Sequence, residues 1–70
     1  MNRFIEILNN EFLIKKQKLE QELEETLNQT GNSIDERVDK TMHLIDKIAS
    51  ITKGHEIFNA YLKNNKDGNN

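Results

Sequence analysis

Between Asn2 and Gln29 the apolar residues return at helical intervals. Ile5, Leu8, Phe12, Leu19, Leu23 and Leu27 are separated by three, four or seven positions. On a helical projection they fall within a stripe about 100° wide, the usual width of a core-facing surface. Lys15 and Lys16 fill the gap between Phe12 and Leu19. Their alkyl stems suit the edge of a core while the ammonium groups reach water. The pattern predicts a helix over about 2–29.

A second periodic segment follows the stretch TLNQTGNSIDER, Thr26 to Arg37. Gly31 suits a chain leaving a helix with positive φ, and 30–32 reads as a turn. Ser33-Ile34-Asp35-Glu36 matches a capping box, with Asp35 and Glu36 at the positive end of the coming helix. Beyond it run two overlapping seams: Ile34, Val38, Thr41, Ile45, Ile48, Thr52, and Leu44, Ile48, Ile51, His55, Phe58, Leu62. Together they form a broad apolar face with the spacing of a left-handed coiled coil. Gly54 is the one point where this helix could stop, leaving a third helix from His55 to Lys63. Continuity costs about 1 kcal/mol and keeps the seam in step, so a single helix over about 33–63 is predicted. The segment 64–70 reads as a disordered tail.

Folding the chain back at Gly31, with paired numbers summing to about 62, opposes apolar to apolar. Leu27 meets Ile34, Leu23 meets Val38, Leu19 meets Met42, Phe12 meets Ile48 and Ala49, Leu8 meets Ile51 and His55, and Ile5 meets Phe58. Charges agree as well, with Glu24 near Arg37, Glu20 near Lys40 and Lys16 near Asp46. Such exposed pairs contribute about 0–1 kcal/mol each and set register more than stability. The expected fold is all-α, an antiparallel two-helix hairpin.

Size changes this picture. Seventy residues make one small domain whose core alone supplies roughly 3–5 kcal/mol. The chain has no cysteine and two histidines, so no disulfide or thiolate metal site staples it. Association is the remaining route, and pairing of two hairpins into a four-helix bundle is expected. Apolar residues are left over for it: Ile7 and Ile14, one heptad apart, and the i,i+4 pair Ile57 and Tyr61. These four are the candidate partner contacts.

Charge narrows the function classes. A net charge of −2 argues against a general nucleic-acid binder, and the sparse aromatics argue against a base-stacking platform. The local run Lys15, Lys16, Lys18 is the candidate phosphate-binding patch, with a solvated helix face as the plainer reading. Asp39, His43 and Asp46 share a helix face in a carboxylate–histidine–carboxylate order, but Lys40 and Lys47 beside them read as ordinary surface pairing. His55 reads as a packed or interface histidine. No nucleophile or general-base arrangement is present, and a hairpin has little room for a pocket, so an enzyme, a cofactor and a metal site are not expected. Polar residues Glu6, Asn9, Asn10 and Glu11 interrupt the first apolar run, so neither a signal peptide nor a membrane span is expected. The expected setting is the cytoplasm, and the abundance of Asn, Lys and Ile suits a bacterial or phage genome.

In architecture the expected hairpin resembles three kinds of small bacterial protein. One is the plasmid RNA-binding protein Rop, a dimer of hairpins, which implies nucleic-acid binding through Lys15, Lys16 and Lys18. Another is the small co-chaperones of type III secretion, which implies holding a partner's helix. The last is the response-regulator phosphatases of sporulating bacteria (Spo0E-like), whose second helix carries Ser-x-x-x-Asp. Asp46 matches that aspartate, but Met42 stands where the serine would be, and no residue role is carried over. The leading expectation is a non-enzymatic regulator, inhibitor or chaperone that docks on another protein through its helix faces.

Overall fold

The computed structural model describes residues 2–31 and 33–68, with side-chain surroundings described through residue 64. It is all-α, with two helices packed against each other: α1, Arg3–Asn28, and α2, Ile34–Gly68. The hairpin is a rod of 57 × 17 × 13 Å.

Polar groups define the ends of the helices. Asn2 caps α1, its Oδ1 accepting the Phe4 N–H at 2.8 Å, which satisfies one of the orphan donors of a first turn. At the other end Gln29 is extended, with its N–H donating to the Thr26 carbonyl at 3.3 Å. Gly31 then takes φ 125°, the left-handed region that a side chain disfavours. Ser33 starts α2 as its pattern predicts, Oγ accepting the Glu36 N–H at 3.2 Å. α2 continues through Gly54 without a break and reaches Gly68, beyond the end expected near Lys63. The tail expected over 64–70 falls mostly outside the described side chains.

Continuity at Gly54 has a packing context. A Cβ built there would lie 3.5 Å from Phe12 Cε1. Phe12 therefore lies close over the α2 backbone, stacked on His55 with centroids 5.0 Å apart and tilted against Phe58 at 5.6 Å. Aromatic pairs in this range add to what burial alone contributes. Phe12 thus reaches residues about two turns further along α2 than Ile48 and Ala49, the partners expected for it. Elsewhere the register is close to that expected: His55 Nε2 sits 2.7 Å from Asn9 Oδ1, and Arg37 reaches Leu27, pairs whose numbers sum to 64.

Of the two overlapping seams on α2, one packs. Leu44 is buried, and Ile48, Ile51, His55, Phe58 and Leu62 are half-buried. Ile34, Val38 and Ile45 were expected to face α1 and are instead exposed, at 76%, 48% and 51%. The reason is geometric. One neighbouring helix covers one stripe, and α2 carries two. Ile48 belongs to both and is retained, as are the small Thr41 and Thr52, which stay half-buried; the large apolar residues unique to the first seam, Ile34, Val38 and Ile45, turn outward. On α1 the matching change falls at the last turn, where Leu27 is exposed and Thr26 is buried. The Thr26 hydroxyl is satisfied by the Glu22 carbonyl, 2.8 Å away within its own helix, so this small residue enters the seam with its polar group paired.

Candidate functional site

Arg37 shapes the turn end. It lies half-buried on α2, and its Nη2 donates to the Leu27 carbonyl at 3.0 Å. No basic residue occupies the last turn of α1, so the cation favoured at a helix C-terminus comes from the neighbouring helix. The expected pairing of Arg37 with Glu24 is replaced by this backbone contact. Arg37 thus occupies the inter-helix position that Ile34 and Val38 were expected to share.

The consequence is a shallow apolar groove on the outside. Leu27, Ile34, Val38 and Met42 line it, with Arg37 and Thr41 at its floor side. A second depression continues from Met42 along Ile45, Asp46 and Ala49. Ile34, Val38, Met42 and Ile45 follow four- and three-residue steps, so they form one stripe along the helix. Pattern alone had placed most of this stripe in the core, and the missed signal was Arg37-x-x-x-Thr41, a polar pair at seam spacing.

The four residues left over by the sequence pattern do lie outside. Ile7, Ile14, Ile57 and Tyr61 are all exposed. Helical spacing sets Ile7 and Ile14 on the side of α1 opposite the Leu8, Phe12 and Leu19 stripe, and turns Ile57 and Tyr61 outward on α2. One of these pairs is on each helix.

The lysines divide. Lys16 is half-buried at the core edge, whereas Lys15 and Lys18 are exposed. Lys15 and Lys18 line a shallow depression with Lys47 of α2, together with Leu19, Glu22, Ser50 and Ile51. Lys47 was not anticipated as their neighbour; the hairpin register brings it there.

Asp39, His43 and Asp46 are exposed on α2. Among the described residues no group of three His, Asp or Glu side chains is placed to hold a metal ion. His55 lies in the seam as a packed histidine. Since an amide oxygen only accepts, Nε2 carries the proton shared with Asn9, and the ring's other contact is the Phe12 face. The Asn9–His55 bond joins the two helices and was legible only from the register.

Among the described residues no helix is long and apolar enough to cross a membrane. No family model, no curated protein and no solved structure matches this chain. The class defined by the fold is the all-α two-helix hairpin.

Proposed function

We propose that this hairpin is a small non-enzymatic protein-binding module, a regulator, inhibitor or chaperone of bacterial or phage type, that works by docking its helix faces. One observation carries the reading: the fold leaves many of its large apolar side chains outside. Among the described residues only Leu44 and Thr26 are buried, while Phe4, Ile7, Ile34, Met42, Ile57 and Tyr61 are each more than half exposed. The surface of 5848 Å² exceeds by roughly 1300 Å² what a globular monomer of 8.2 kDa exposes. That excess is larger than the roughly 800 Å² that each partner buries in a standard interface. A bound helix would supply the layer that two helices lack. Pairing of two copies into a four-helix bundle would cover part of the same surface.

The test is capture of partners from the native host with the wild-type chain and with Ile7→Ser/Ile14→Ser and Ile57→Ser/Tyr61→Ser variants, alongside sedimentation. A protein retained by the wild type and lost by a variant that melts normally supports the reading. A monomer that retains nothing more than those variants do would sink it. A second reading, nucleic-acid binding, draws on the convergence of Lys15 and Lys18 with Lys47. It requires RNA or DNA binding that weakens steeply with salt and is lost on Lys15→Ala/Lys18→Ala/Lys47→Ala.

A further inference from the structure

Charge is unevenly shared along the hairpin. Residues 20–46, the half around the turn, carry eight carboxylates against Arg37 and Lys40, a net of −6. The rest of the chain carries eight cations and four carboxylates, a net of +4, which together give the overall −2. The apolar groove of Leu27, Ile34, Val38 and Met42 lies wholly in the acidic half. Arg37, the cation that lines it, is already engaged with the Leu27 carbonyl.

The acidic residues border the groove. Glu20 and Glu24 stand seven and three residues before Leu27, on its side of α1. Asp35 stands seven residues before Met42, and Asp46 four after it, on the same side of α2. Helical spacing therefore sets two exposed carboxylates along each edge. The stripe from Ile34 to Ala49 is roughly 22 Å long at 1.5 Å per residue, the length of a four-turn helix.

We propose that this groove receives an amphipathic helix of another protein whose apolar stripe is flanked by lysine or arginine. The inference rests on the reading of the chain as a binding module and names the chemistry of its partner. Apolar side chains would supply affinity through burial, and the two acidic edges would orient a cationic helix and repel an anionic one. A second copy seated on the same groove, edge to edge, would bring Glu20, Glu24, Asp35 and Asp46 against their own like. The acidic edges thus favour a foreign basic helix over self-pairing at this face.

The probe is a synthetic helix of about fifteen residues, leucines on one face and lysines flanking them, followed by fluorescence anisotropy on the full chain. Its controls are the same peptide with every lysine replaced by glutamate and a scramble of the lysine peptide. The lysine helix should bind and both controls should not. Val38→Ser/Met42→Ser should weaken binding about tenfold or more while leaving the melting curve in place, because both residues are exposed. Glu20→Gln/Glu24→Gln/Asp46→Asn should weaken it several-fold and flatten its salt dependence. Equal binding of the scramble, or binding indifferent to Val38→Ser/Met42→Ser, overturns the proposal. So does a wild-type dimer that Val38→Ser/Met42→Ser dissociates, since the occupant is then a second copy. A host protein captured through Ile57 and Tyr61 with no effect of the groove variants overturns the groove while leaving the binding module intact.

Discussion

The two ends of this hairpin are held by different physics. Toward the open end, Phe12 lies against His55, Phe58 and the bare backbone of Gly54, and Asn9 bonds across to His55. At the turn end polar groups do this work: Ser33 caps α2 through Glu36, Gly31 makes the left-handed turn, and Arg37 bonds across to the Leu27 carbonyl of α1. The large apolar residues there, Ile34, Val38 and Met42, face outward. The first end adds an aromatic cluster to the packed seam; the other relies on polar groups that satisfy its backbone and leaves Ile34, Val38 and Met42 outside. A stripe of isoleucine and valine at core spacing in a sequence is thus not by itself evidence of burial within the chain.

Substitutions can break this contrast, the strongest first. Phe12→Ala should destabilise the hairpin by about 3 kcal/mol, comparable to the whole stability expected for a chain this size. Circular dichroism should then show a largely unfolded chain at 37 °C; a cooperative melt close to wild type would remove the aromatic cluster from its central place. Arg37→Ala deletes a charge-assisted bond to the end of α1, and the expected loss is about 1.5–2 kcal/mol. If Arg37→Ala melts like wild type, the turn end is held by something other than its caps. Gly54→Ala runs the other way. The added methyl meets Phe12 at ordinary contact distance and helix propensity improves, so a gain of about 1 kcal/mol is expected in a denaturant titration. A loss there would mean that Phe12 lies too close to α2 to admit a side chain.

Smaller effects sharpen the contrast. Ser33→Ala should cost about 0.5–1 kcal/mol through the lost cap, with binding to any partner unchanged. Ile34→Ser should move stability by no more than about 0.5 kcal/mol, because its side chain is outside. The same change at Ile48, on the packed seam, should cost several times more. Equal losses from Ile34→Ser and Ile48→Ser, measured by thermal melts, would mean that the first seam is buried in solution.

Much of the fold was legible from the residues alone. Periodicity located both helices to within a few residues, Gly31 and Ser33 marked the turn, and the keeping of step across Gly54 indicated one long α2. These are local matters, decided by propensity, capping and backbone geometry within a turn or two of each residue. The candidate surface was legible only in part. Ile7, Ile14, Ile57 and Tyr61 stand outside as their off-seam positions implied, but the groove along Ile34, Val38 and Met42 did not announce itself. Its residues carry the same spacing as core residues, and Thr26 and Arg37 carry no apolar signal at all.

The amino-acid order by itself determined that this chain makes two helices and turns back between Gln29 and Ser33. It also determined that α2 has more apolar face than a single neighbour can cover. Tertiary structure decided which of the overlapping seams is used. That choice depends on how Phe12 lies over Gly54, how Thr26 fits the narrow end of the seam, and where the Arg37 guanidinium finds a carbonyl. The Phe12–Gly54 and Arg37–Leu27 contacts join residues ten or more positions apart, and Thr26 is buried only in the packed pair of helices, so local sequence does not set them.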